Sequence, residues 1–188
     1  MKMKTKELTL VSLFAALMVV GAYVSIPTPW VPLTFQPFFC CFAGVLLGSR
    51  LGALSQIVYI LIGLCGVPVF QGGKAGPSVI VSTTFGYLIG FVISAYVIGQ
   101  ITETRKASIK NLSLGVLIGL AIIYIFGVAY LYVIVNFYIA KPMSIIKAIQ
   151  AGFIPFIIKD LVLSGIVVTA SYKIIPALNK AGLRIIKN

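Results

Sequence analysis

The stretch Val67–Phe91, VPVFQGGKAGPSVIVSTTFGYLIGF, interrupts a chain that is otherwise almost continuously apolar. Five glycines, two prolines and one lysine stand between two hydrophobic runs. Gly72, Gly73 and Gly76 admit positive φ and close backbone approach, while Pro68 and Pro77 stop helix on either side. Lys74 is the only charge for about twenty residues in each direction. A flexible, cation-bearing loop between two segments of membrane length reads as a ligand-gripping element. An ordinary exposed loop would carry the same composition.

Composition sets the frame for that loop. The chain has 188 residues, of which 60% are hydrophobic and 10% charged, and its mean hydropathy is +1.12. Those values lie outside the soluble range and describe a polytopic membrane protein, read as one integral-membrane domain over residues 1–188 because no hydrophilic block is long enough for another. The net charge of +12 would point to nucleic acid in a soluble protein. Here the basic residues cluster at the ends of apolar runs, where anchoring to the lipid bilayer explains them and no nucleic acid is needed. Histidine is absent, which removes the commonest acid–base and metal chemistry. Cys40, Cys41 and Cys65 lie in apolar segments without metal spacing and read as reduced, buried small hydrophobes.

Outward from the glycine loop, the hydrophobic pattern predicts an all-α fold of six transmembrane helices. They are expected over Leu8–Ile26, Phe38–Leu47, Leu51–Val67, Thr83–Ile101, Leu112–Tyr138 and Ile145–Tyr172, the second being short for a span. Ile26–Pro37, IPTPWVPLTFQP, carries four prolines and cannot be regular helix. Trp30, the sole tryptophan, suits a membrane interface. Pro155 is expected to kink the last helix and free a carbonyl near Ile154. Six crossings put both termini on one side. That side receives Lys2, Lys4, Lys6, Arg50, Arg105, Lys106, Lys110, Lys173, Lys180, Arg184 and Lys187, against only Lys74, Lys141 and Lys147 on the other. The asymmetry predicts cytoplasmic termini, with the proline-rich and glycine-rich loops together outside.

Of the three acids, Glu7 and Glu103 fall near the cytoplasmic face and Asp160 lies inside the last apolar segment. A charge within a span costs several kcal/mol and faces a partner or a wet cavity. Lys159 is adjacent, about 100° away around a helix, and is not expected to pair face to face with it; it could snorkel or hold a backbone carbonyl. A ligand between the glycine loop and the last helix would meet a cation at Lys74 and an acceptor at Asp160. Phe35, Phe70, Tyr87 and Tyr130 would supply apolar walls. A small molecule with a carboxylate at one end and polar N–H groups at the other fits. No nucleophile–base pair, carboxylate pair or nucleotide-binding glycine motif occurs, so no catalytic residue, cofactor or metal is expected, and ATP hydrolysis would need a partner.

At these residues the chain resembles the biotin-specific S component of energy-coupling factor (ECF) transporters. The resemblance runs through SLFAALMVVGAYVSIP, VPLTFQPFF, LLGSRLGALSQIVYILIGLCGVPVFQGGKAGP, FGYLIGF, IYIFGVAYLYVIV and AGFIPFIIKD. The central GxPVFxGGxxGP followed by GYLxGF is its most specific part. The chain departs from the family pattern in three places: Ser82-Thr83-Thr84-Phe85 before GYL, Leu163 in place of a lysine, and Tyr130 for an aromatic that is often tryptophan. The resemblance implies six helices, a pocket closed by outer loops, capture of biotin, and coupling to a membrane scaffold (T) subunit and two ATP-binding-cassette ATPases at the cell membrane. The residues expected at the substrate are Lys74, Asp160, Gly72, Gly73, Phe35, Gln36, Tyr87, Tyr130 and Lys159. Ser12 and Ala16, one turn apart on the first helix, are small enough for close helix approach, and the resemblance puts the scaffold contact there.

Three other functions compete. An S component for another vitamin-like carboxylate would share the layout. A membrane enzyme would need an acid–base or metal constellation. A structural membrane subunit would leave the Lys74 loop without a purpose.

Overall fold

The computed structural model describes residues 4–180, so Lys2, Arg184 and Lys187 of the charge asymmetry lie outside the described residues. Helix α1 is Thr5–Tyr23. It stops three residues short of the expected Ile26 because Ser25–Ile26 (β1) turns into an antiparallel pairing with Leu33–Thr34 (β2), Ser25 opposite Thr34 and Ile26 opposite Leu33. The proline-rich stretch is therefore a small hairpin. Next come α2 (Gln36–Leu64), two 3₁₀ turns (Gln71–Gly73 and Pro77–Val81) and α3 (Phe85–Thr104). They are followed by α4 (Ile109–Val133) with a π turn at Ile134–Tyr138, α5 (Ile145–Gly152) and α6 (Ile154–Lys180). Among the described residues five helical stretches are long and apolar enough to cross a bilayer: Thr5–Tyr23, Gln36–Leu64, Phe85–Thr104, Ile109–Tyr138 and Ile145–Lys180.

Helix α2 contains a reversal. Gly48 has φ 81° and ψ −177°, a conformation costly for any residue with a Cβ. Gln36 and Tyr59 would stand roughly 35 Å apart on a straight helix at 1.5 Å per residue, yet Gln36 Nε2 donates to the Tyr59 hydroxyl at 2.9 Å. The arms 36–47 and 49–64 thus run back along each other. Helix α3 lies against the turn so closely that a Cβ on Gly99 would sit 2.0 Å from the Ser49 nitrogen. Glu103 fastens the same turn, accepting from Ser49 N at 2.7 Å and Ser49 Oγ at 2.8 Å.

Lipid tails give helices no hydrophobic reason to associate, so close packing must hold them together. Helices α3 and α4 meet through small residues that receive tyrosines from the facing helix. Gly86 lies against Tyr130, and a Cβ on Gly127 would fall 2.2 Å from the Tyr87 ring. Ser108 starts α4, its Oγ accepting from Asn111 N at 3.2 Å.

The expected kinked helix over 145–172 is two helices. The break is at Phe153 (φ −127°, ψ −55°) rather than at Pro155, which sits in the first turn of α6, where its missing N–H costs nothing. The free carbonyl is that of Gly152, and it accepts the Tyr87 hydroxyl at 2.7 Å. Cys40 and Cys41 are buried as expected; Cys65 is exposed, because it lies just past the last turn of α2.

The connections 24–35 and 65–84 gather at one end of the bundle, away from the Ser49–Glu103 turn. There Tyr23 OH donates to the Pro68 carbonyl at 2.5 Å, Thr83 Oγ1 to that of Trp30 at 2.7 Å, and Tyr130 OH to that of Ile80 at 2.5 Å.

Candidate substrate-binding site

Beneath those connections the helices enclose a cavity. The proline-rich hairpin supplies Val31, Pro32 and Thr34; α2 supplies Gln36 and Tyr59; the glycine loop supplies Phe70, Gln71 and Lys74. Helix α3 adds Tyr87, Leu88 and Phe91, α4 adds Ile123 and Tyr124, and α6 adds Phe156, Lys159 and Asp160. About 650 Å³ lies between these atoms, mouth included, but only about 50 Å³ admits the centre of a water molecule. Pockets for small organic ligands run to roughly 300–1,000 Å³.

The polar groups are few and fixed from behind. Asp160 is 2% exposed. Its Oδ2 accepts the Tyr124 hydroxyl at 2.5 Å, and Tyr124 is steadied by the Phe153 ring, edge to face at 4.9 Å. Its Oδ1 lies 2.7 Å from Lys159 Nζ, an ion pair. The expectation that Lys159 and Asp160 do not pair is overturned. A lysine stem is long enough to bend around the helix and offset the 100° between neighbouring positions. The same ammonium donates to the Thr34 carbonyl and stands 5.6 Å from the centre of the Phe35 ring. Lys159 therefore joins the buried carboxylate to the hairpin that covers it.

On the opposite wall, the Tyr59 hydroxyl accepts from Gln36 Nε2 and donates to the Val69 carbonyl at 3.3 Å. Thr34 Oγ1 lies 3.4 Å from Gln36 Oε1. Tyr59 also packs edge to face on Phe70 at 5.5 Å. Both faces of the cavity are thus tied to the loops above it.

The family model described as "BioY family" matches residues 1–180. The chain belongs to the BioY family. A "Probable biotin transporter BioY" of Lysinibacillus sphaericus is 44% identical over 162 residues, 85% of this chain and 82% of the relative. The "Biotin transporter BioY" of Thermotoga maritima is 42% identical over 157 residues, 84% and 88% of the two chains. Among solved structures, the S component for biotin from an ECF-type ABC transporter superposes with a TM-score of 0.78 at 22% identity, covering 92% of this chain and 94% of that one. The last comparison speaks to the fold. With its apolar helices, this BioY-family chain is a multi-pass membrane protein.

Of the residues singled out from the BioY-like sequence, Lys74, Asp160, Gln36, Tyr87 and Lys159 line the cavity, as does Phe70. Four others do not. Phe35 stands outside the cavity lining, its ring centre 5.6 Å from the Lys159 ammonium. Tyr130 fills the space over Gly86 and ties α4 to Ile80. Gly72 (φ 72°) and Gly73 (φ 74°) shape the loop that carries Lys74. Tyr124, Thr34 and Phe91 were missed. Tyr124 is one apolar-looking aromatic within IYIFGVAY, and only its partner Asp160 on another helix marks it out. Ser12 and Ala16 are both exposed on α1.

Proposed function

We propose that this protein captures biotin at the outer face of the cell membrane and delivers it inward as the S component of an ECF-type ABC transporter. The observation that carries the reading is the buried Asp160–Tyr124 pair at one wall of a loop-covered cavity whose rim bears Lys74. Oδ1, paired with Lys159, keeps lone-pair capacity to accept a ureido N–H as well, and the exposed cation of Lys74 suits a carboxylate at the end of an aliphatic chain. Tyr87, Leu88, Phe91 and Phe156 supply the apolar walls that the chain and ring need. The names of the relatives, biotin transporters at 42–44% identity, support the same ligand.

The chain crosses the bilayer six times, with both termini cytoplasmic. The two arms of α2 are the second and third crossings, and the charge asymmetry sets the direction. The whole chain acts as a single substrate-binding unit. It works with a membrane scaffold subunit docked along Ser12 and Ala16 and with two ATP-binding-cassette ATPases, since nothing in the chain is equipped to hydrolyse ATP.

Equilibrium binding of labelled biotin to the purified protein in detergent tests the ligand. Saturable binding displaced by unlabelled biotin supports the reading. No saturable binding, or displacement by an unrelated vitamin carboxylate at equal concentration, overturns it.

A further inference from the structure

A second, wider opening lies at the loop end of the bundle. It holds about 530 Å³ and is walled by Thr28, Pro29 and Trp30 on one side and by Lys141, Lys147 and Gln150 on the other. None of its lining residues belongs to the substrate cavity. No acid lines it, and the three acids of the whole sequence are elsewhere: Glu7 on α1, Glu103 on α3 and Asp160 in the cavity. Two ammonium groups therefore face one cleft without a carboxylate to offset them.

Helix α5 explains how the cleft meets the membrane. At 100° per residue, Lys147, Gln150 and Ala151 share one edge and line the cleft. Ala148 and Gly152 share a second edge, which is buried against the bundle. Ile145, Ile146 and Ile149 form the third edge and are exposed, as are Phe137 and Tyr138 just before the helix. A short helix with a lysine on one edge and bare isoleucines on the next has the pattern of an element lying in the headgroup layer. Trp30, across the cleft, is the side chain that prefers that depth.

We infer that this cleft binds the headgroup of an anionic phospholipid, the phosphate between Lys141 and Lys147 and the acyl chains along Ile145, Ile146 and Ile149. A soluble anion would use the lysines and leave the isoleucine edge uncovered; a zwitterionic lipid would cover the edge and leave the two charges unbalanced. An anionic lipid satisfies both.

Native mass spectrometry of the detergent-purified full chain, titrated with phosphatidylglycerol or phosphatidylcholine, tests the site. The wild-type protein should retain phosphatidylglycerol preferentially. The Lys141→Gln, Lys147→Gln double variant should retain it at least about tenfold more weakly, with phosphatidylcholine unchanged. Lys141→Arg, Lys147→Arg should restore retention, because it keeps both charges. Equal retention by the wild type and the double Gln variant, or failure of the arginine pair to restore it, overturns the proposal. So does displacement of phosphatidylglycerol by millimolar glycerol 3-phosphate, which would make the cleft a site for soluble anions.

Discussion

The hydroxyl of Tyr124 and the Oδ2 atom of Asp160 meet at 2.5 Å between α4 and α6, in the buried wall of the loop-covered cavity. The pair fixes the carboxylate's orientation before any ligand arrives, which lowers the ordering cost of binding. Removing one donor from a buried acceptor costs about 1–3 kcal/mol. Tyr124→Phe should therefore leave a folded protein that binds biotin several-fold more weakly by isothermal titration. Asp160→Asn should lose at least about tenfold, since an amide oxygen accepts a weaker, neutral bond. The double variant should fall short of the product of the two losses, because both changes act on one group. Strict additivity would show that Tyr124 does not act through Asp160.

The direction of insertion is open to a chemical test. Ser78 is exposed in the glycine-rich connection and Arg105 is exposed beyond α3. In a background lacking Cys40, Cys41 and the exposed Cys65, Ser78→Cys should react with an impermeant thiol reagent in intact cells. Arg105→Cys should react only after permeabilisation. The reverse pattern would invert the topology.

Helices, loops and their order were legible because hydropathy and proline placement are local signals. The expected runs Phe38–Leu47 and Leu51–Val67 left a break at 48–50, and the structure turns there, at Gly48. The boundaries moved where tertiary partners intervened. The β1–β2 pairing shortened α1, while the fourth long segment ends at Tyr138 as expected, its last turn being a π turn. Of the candidates picked out by charge or loop position, Lys74, Lys159 and Asp160 stand on the cavity wall. Their supports were not picked out. Tyr124 and Thr34 matter through contacts with α6 made across 36 and 125 residues of chain, and no spacing rule reaches that far. Phe35 and Tyr130 lie off the cavity wall for the converse reason: an aromatic near a loop can brace the loop as readily as line the pocket.

Docking of a partner subunit has a separate signature. Ser12 and Ala16 form an exposed small-residue stripe on α1, next to the shallow groove that α1 makes with the second arm of α2 near Val58 and Ile62. Bulk at such a stripe prevents close helix approach. Ala16→Trp should abolish co-purification with the scaffold subunit while biotin binding by the solitary chain stays near normal. Wild-type yield of the complex would remove the stripe from the interface.

Lys74 gives the sharpest discrimination between reading a ligand and shaping a loop. Its side chain is exposed at the cavity rim, and its carbonyl accepts the Phe70 amide at 3.1 Å, closing the loop through the backbone alone. Lys74→Ala leaves that backbone bond in place, so the loop should keep its shape. A carboxylate that pairs with the ammonium loses a charge-assisted bond; an uncharged amide in the same position loses less. Biotin should therefore weaken by roughly tenfold in Lys74→Ala, and biotin amide by no more than about twofold. Raising the salt should narrow the gap in the wild type, because an exposed pair is screened. Equal losses for both ligands would mean that the lysine only shapes the loop, and the carboxylate would have to be sought at another donor on the cavity wall.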